Sequence, residues 1–406
     1  LQSGSFPRRL ASRRGPNAPK VAAIVIATMT LSATAQVAAE PSASRAALSE
    51  RTNPEAGSDS TNPPSGSDTT NPELGSASRC PPHTNRRALA IAAALVPGIV
   101  VHGAGHWVLC DDRGALRLLE IEGIGLGVGG LAGAGLGLTG ASRYFVAPLA
   151  IGALGGGALF LLSWLADVYA VAVPDEAKGR APTWSPRLTL EAGARYVYDP
   201  QFAYRAILTH SFHLDADVLW VEPRYDVAVD AKNRRYSLLV GRRLLGPRAG
   251  SHVSSGTHLD VSAGVTDHAY GDDGFSMTIA EVSLRGRLDL DRVNPSLRGS
   301  FVEGQLGYAR QWSRFVGFPD DSTDELLARA AFGVYWGYAR GESYFAYDHR
   351  RDTFAGGLRM GGRPAGYLGF LEQRNEVYFG SFGAALEFSY GSAFIASASA
   401  LFRIPP

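Results

Sequence analysis

From Arg187 onward, apolar and polar residues alternate with a period of two. In Arg187 to Tyr198 the even positions Leu188, Leu190, Ala192, Ala194, Tyr196 and Tyr198 are apolar, whereas the odd ones include Arg187, Thr189, Glu191 and Arg195. Successive side chains of a strand point to opposite faces, so this is a strand with one apolar and one wet face. The alternation recurs in Leu259, Val261, Ala263 and Val265 against His258, Asp260, Ser262 and Thr266. It returns in Ala330, Phe332, Val334, Trp336 and Tyr338, and in Phe394 to Ile404. Segments of this kind, bounded by polar or Gly-containing turns, number about 13. One short stretch in 342–372 is too weak to count, leaving about 12 expected strands. In Phe275 to Leu290 the phase slips between Ile279 and Ala280, which predicts a β-bulge.

Upstream the period disappears. Ala88 to Val173 is apolar and rich in Gly and Ala: Ala88 to Leu109 reads as a helix interrupted at Pro97-Gly98. After the polar break Cys110 to Gly114 come Leu116 to Leu138, then Tyr144 to Val173, which ends in Pro174-Asp175. Small residues at this density let helix backbones approach closely, so two or three packed helices are expected within a segment spanning 88–178. Before it, 40–87 repeats Thr-Asn-Pro at Thr52, Thr61 and Thr70 within Ser, Gly, Asp and Pro. That composition buries too little apolar surface to fold, and it predicts a disordered tether. In 1–39, Arg8, Arg9, Arg13, Arg14 and Lys20 precede the uncharged Val21 to Ala35 and a small-residue stretch, the layout of a secretory signal peptide.

Alternation alone does not separate a membrane barrel from a soluble one. Three features favour the membrane: the export signal, segments long enough to cross a bilayer when tilted, and a polar face mixing Arg285, Arg287, Glu303 and Glu387 with Ser and Gly. Tyr196, Tyr198, Trp312, Trp336, Tyr338 and Tyr390 fall near segment ends, as interfacial girdles do. On these residues 187–406 resembles outer-membrane β-barrel proteins as a broad class. The resemblance implies an antiparallel up-and-down barrel, a lipid-facing belt and a place in the bacterial outer membrane. Membrane lipid is then one partner and small solutes in the lumen another, with passive transport or envelope structure as the function. The apolar helices are expected to pack beneath or within the barrel. A competing expectation is an inner-membrane helical anchor carrying a periplasmic β domain for binding. Val96-Pro97-Gly98, His102-Gly103-Ala104-Gly105-His106, Gly114 and Leu116 to Leu119 look like the helical hairpins of the TM2-like class, a loose match with His102 where an aromatic is expected. It implies membrane association.

Charge is nearly balanced, with 39 Lys and Arg against 38 Asp and Glu, so nothing points to a nucleic-acid partner. The two cysteines, Cys80 and Cys110, suit an oxidising compartment, where they could pair. His102, His106 and Cys110 fall at i, i+4 and i+8, so a continuous helix would place them on one face beside Asp111 as a metal site. Gly103 and Gly105 weaken that helix. The glycines from Gly123 to Gly137 lack the strand and the acidic residue of a dinucleotide site, the next acidic residue being Asp167; they fit helix packing, and no cofactor is expected. Asp272-Asp273 and Asp320 to Glu325 are placed in solvated loops. Outer-membrane phospholipases share this barrel size and need a His and a Ser on the lipid-facing wall. His210 and Ser211, adjacent on a strand, face opposite ways and cannot be that pair, and His349 is the remaining candidate of this third, hydrolase reading.

Overall fold

The alternation builds a closed sheet. The computed structural model describes residues 85–140, 144–182, 185–198, 206–248, 250, 255–271, 274–337, 340–349, 369–391 and 393–404. The expected signal peptide, Cys80, Tyr338 and Asp272-Asp273 lie outside them, as does the expected tether except Asn85 to Arg87, which are helical. Twelve strands follow one another round an up-and-down barrel. They are β1 (Leu188–Tyr198), β2 (Ala206–Ala216), β3 (Leu219–Ala228), β4 (Asn233–Leu245), β5 (His258–Tyr270), β6 (Phe275–Asp289), β7 (Ser300–Phe315), β8 (Asp321–Tyr335), β9 (Arg340–Asp348), β10 (Phe370–Phe379), β11 (Phe382–Tyr390) and β12 (Phe394–Ile404). The first and last strands close it, antiparallel from Leu188↔Ile404 to Tyr198↔Phe394. Closure leaves no unpaired edge.

The outer face is the apolar one. Leu190, Leu208, Leu238, Val282, Leu306 and Leu386 are all exposed, whereas the residues between them turn inward. Aromatic rings collect at the end of the barrel opposite Leu188, called the far end: Tyr196, Tyr198, Tyr236, Trp312 and Tyr390 stand exposed there, and Tyr225 stacks on Tyr236 at 4.6 Å.

Two expectations are corrected. β6 carries no bulge at Ile279; its pairing with β5 and β7 runs in register from Phe275 to Arg287 and beyond. The phase slip has another cause. Phe275, Met277 and Ile279 face inward into an apolar layer of the lumen, while Val282 and Leu284 face outward, so apolar residues change faces along a regular strand. A shift in register occurs instead between Arg243 and Leu245 of β4. The acidic run is not a loop either: Asp321 to Glu325 belong to β8, paired with β7 as far as Ser313↔Asp321, because these two strands are longer than their neighbours.

Among the described residues four α-helices precede the barrel: α1 (Asn85–Leu95), α2 (Ala104–Val108), α3 (Asp112–Leu138) and α4 (Val146–Ala172). α1 stops before a 3₁₀ turn at Pro97–Ile99, and Asp111 caps α3 by accepting from the Gly114 N–H. α3 and α4 form an antiparallel pair in close contact: a Cβ on Gly156 would lie 2.3 Å from Gly129 N and 2.5 Å from Gly125 O. Each has 27 residues, roughly 40 Å of helix, more than the hydrocarbon thickness of a bilayer.

The helices do not line the lumen; the foot of the α3–α4 pair packs at the base, the end bearing Leu188, against the β6–β7 connection and the outward face of β7 and β8. Leu118, Ala166 and Tyr169 form one apolar cluster with Leu290, Leu297 and the outward-facing Phe332. Tyr169 meets Phe332 ring to ring at 6.2 Å and donates to the Arg298 carbonyl. Burial of Phe332 in this contact explains why the pattern alone could not tell a lipid-facing from a helix-covered position.

Candidate functional site

Inward-facing positions of the strands converge on a cavity of about 630 Å³. Among the described residues nine arginines and eleven Asp or Glu line it, and they meet in networks. Glu303 accepts from Arg285 at 3.0 Å, from Arg287 at 3.2 Å and from Arg329. Arg287 also forms two bonds to Glu342 at 2.9 and 3.1 Å. Across the lumen Arg374 donates to Glu191, Glu376 and Glu387 at 3.0, 2.7 and 3.0 Å, tying β1, β10 and β11 together. Such pairing compensates the desolvation of charges held inside a narrow barrel. Arg285, Arg287, Glu303 and Glu387, expected on the wet face, are all here.

Buried side chains crowd both ends of the cavity. Toward the far end Val197, Ile207, Met277, Ile279, Leu327 and Phe370, from five strands, are buried in one apolar layer across the lumen. Toward the base Phe301 is fully buried, 4.9 Å from the Tyr335 ring and under the Arg287 guanidinium at 4.0 Å. Asp289 there accepts from Tyr335 Oη at 2.9 Å and from Ser255 and the Gly256 N–H of the β4–β5 connection.

A second polar cluster lies where the helices meet the barrel. His102 and His106 are buried, but not on one helix: Gly103 has φ +85° and α2 begins after it. Cys110, at φ +64°, is in a disulfide. The helical face expected to carry His102, His106 and Cys110 therefore does not exist, because the two positive-φ residues interrupt it. Each histidine has its own partners. His102 Nδ1 lies 2.6 Å from Ser163 Oγ, and the His102 backbone N–H donates to Glu122 Oε2 at 2.8 Å. His106 Nδ1 lies 2.6 Å from Asp167 Oδ1, and its Nε2 lies 3.1 Å from Ser296 Oγ in the β6–β7 connection. Asp111 Oδ2 is 3.9 Å from the same Nε2. Asp167, Glu122 and Ser296 were not found by sequence reasoning. A carboxylate inside an uncharged apolar helix, as Asp167 is, was the available signal. Beside this cluster Lys178 Nζ donates to Asp175 at 2.7 Å and to the Ser296 carbonyl at 2.6 Å. That hydrogen bond holds the Asp175 carboxyl below its ordinary range.

Of the hydrolase candidates, His210 is exposed on the outer face and Ser211 lines the lumen. His349 Nδ1 is 2.9 Å from Tyr347 Oη. The structure brings none of the three together.

No protein-family model matches the chain, and no curated protein does. Solved structures similar to it include the KdgM porin in complex with disordered oligogalacturonate, at 6% identity over 53% of this chain and 99% of that one, TM-score 0.34. The Acinetobacter baumannii outer membrane protein Omp33 is similar at 10% identity over 55% and 100%, TM-score 0.30. The translocator domain of the autotransporter NalP from Neisseria meningitidis follows at 12% over 53% and 88%, TM-score 0.31. At such scores the barrel assignment rests on strand register.

Proposed function

We propose that this chain is an outer-membrane β-barrel protein whose closed lumen serves envelope structure, holding the helical hairpin at the base of the barrel. One observation carries the membrane reading: the barrel is inside out relative to a soluble one. Its outer wall exposes leucines, valines and aromatic rings, and its interior holds the charges. Water would penalise that wall, at about 25 cal/mol per Å² of apolar surface, whereas lipid does not. The apolar hairpin is consistent with the same environment.

Closure favours structure over permeation. An apolar layer spanning a narrow lumen excludes water and ions. Passive transport of small charged solutes is the second reading, favoured by the paired charges lining the 630 Å³ chamber, and it requires that layer to part. Expression of the full chain, fractionation, and comparison of unheated with boiled gel mobility test the location: outer-membrane recovery with a mobility shift is expected. Inner-membrane recovery without a shift would favour the helix-anchored periplasmic domain. Planar-bilayer recording then separates the two uses of the barrel, with little steady conductance expected.

A further inference from the structure

Ser296, His106 and Asp167 are hydrogen-bonded in series. Asp167 is fully buried; its Oδ1 takes the His106 Nδ1 bond at 2.6 Å while its Oδ2 accepts the N–H groups of Gly103 and Gly105 at 2.9 and 3.3 Å. With Oδ2 taken by two N–H groups and Oδ1 facing Nδ1, the tautomer that fits carries hydrogen on Nδ1 and presents the Nε2 lone pair to the Ser296 hydroxyl 3.1 Å away. Ser296 is half-buried in the β6–β7 connection. Its N–H donates to Asn294 Oδ1 at 3.0 Å and its carbonyl accepts from Lys178, so the backbone under the hydroxyl is held on both sides. A Cβ on Gly114 would lie 2.5 Å from His106 Cδ2 and 2.8 Å from Asn294 Nδ2. Only glycine lets these groups converge.

We propose that this junction between the helices and the barrel is an esterase site acting on acyl esters of lipid size. Ser296 is the nucleophile, His106 the general base and acid, and Asp167 the positioning residue. Ser296 Oγ bonds to the ester carbonyl carbon while Nε2 takes its proton; the carbonyl carbon–alkoxy oxygen bond then breaks and the alcohol departs with that proton. Water, deprotonated by the same Nε2, cleaves the Ser296 ester, releasing a carboxylic acid and restoring the hydroxyl. The choice of a lipid ester rests on the membrane reading, but the nucleophile does not.

The test uses the detergent-solubilised full chain and a fluorophosphonate probe, with the labelled peptide identified by mass spectrometry. Labelling at Ser296 is expected, together with release of 4-nitrophenol from 4-nitrophenyl butyrate and of fatty acid from phosphatidylethanolamine in mixed micelles. Ser296→Ala should abolish both labelling and turnover while heat-modifiable mobility is kept. Asp167→Asn should lower kcat by about 10⁴-fold with KM nearly unchanged, an effect a purely structural carboxylate would not give. A folded protein that takes no label, or takes it at another residue, overturns the proposal and leaves the cluster as a tie between hairpin and barrel. Ester turnover without phospholipid turnover would overturn the lipid assignment alone.

Discussion

The ring of Phe301 lies directly over Gly333 of the neighbouring strand: a Cβ added at Gly333 would come 2.1 Å from Phe301 Cζ. The pair stands at Phe301↔Gly333 in the β7–β8 register, both residues facing the lumen at its base. Gly333→Ala must therefore displace a fully buried ring that also carries Arg287. Overpacking of this kind costs about 1–3 kcal/mol. A lower midpoint in heat-modifiability is expected, and Phe301→Ala added to Gly333→Ala should remove the steric part of the loss.

The apolar layer can be tested by wetting it. Ile279→Glu places a charge beside the buried Met277, Leu327 and Phe370. The layer should hydrate and single-channel recordings should show steady conductance where the parent shows little. Unchanged recordings from a folded variant would move the seal elsewhere.

Val282 faces outward near the middle of β6 and is 48% exposed. Within lipid, Val282→Arg costs about 2–4 kcal/mol at the midplane, whereas in water a surface exchange usually stays within about 0.5 kcal/mol. Folding into lipid vesicles, followed by denaturant titration, should show the larger loss.

Acid should loosen the foot of the hairpin. The Asp175 carboxyl is depressed by its hydrogen bond from Lys178, so its contribution is present above the unfolded value of about 3.9 and is lost as pH falls through the lower folded value. Asp175 is largely exposed while Lys178 is buried, and the exposed partner limits the effect to roughly 0.2–1 kcal/mol. Wild type should exceed Asp175→Asn by that amount at neutral pH, and the difference should close in acid; melting curves at a series of pH values read it.

Strand positions were legible wherever lipid and lumen impose opposite demands on successive residues. Leu188 to Tyr198 and Phe394 to Ile404 were readable for that reason, and they are the pair that closes the barrel. Where both faces are apolar the pattern fails: Met277 and Ile279 broke the alternation, and a regular strand was read as bulged. Glycine spacing in α3 and α4 announced close packing, borne out at Gly125, Gly129 and Gly156. It could not say what the pair leans on, since a leucine facing lipid and one facing Phe332 look alike in sequence.

By itself, then, the sequence determined the period of each segment, hence the strands, the helices and the division between an apolar wall and a charged interior. These are local properties, set by the backbone repeat and by the medium each side chain meets. Tertiary structure alone decided the apolar layer across the lumen, the berth of the hairpin's foot on β7 and β8, and the meeting of His106 and Asp167 with Ser296. Asp167 and Ser296 are 129 positions apart, and proximity over such a separation is created by strand register and helix packing, which no short window of residues encodes.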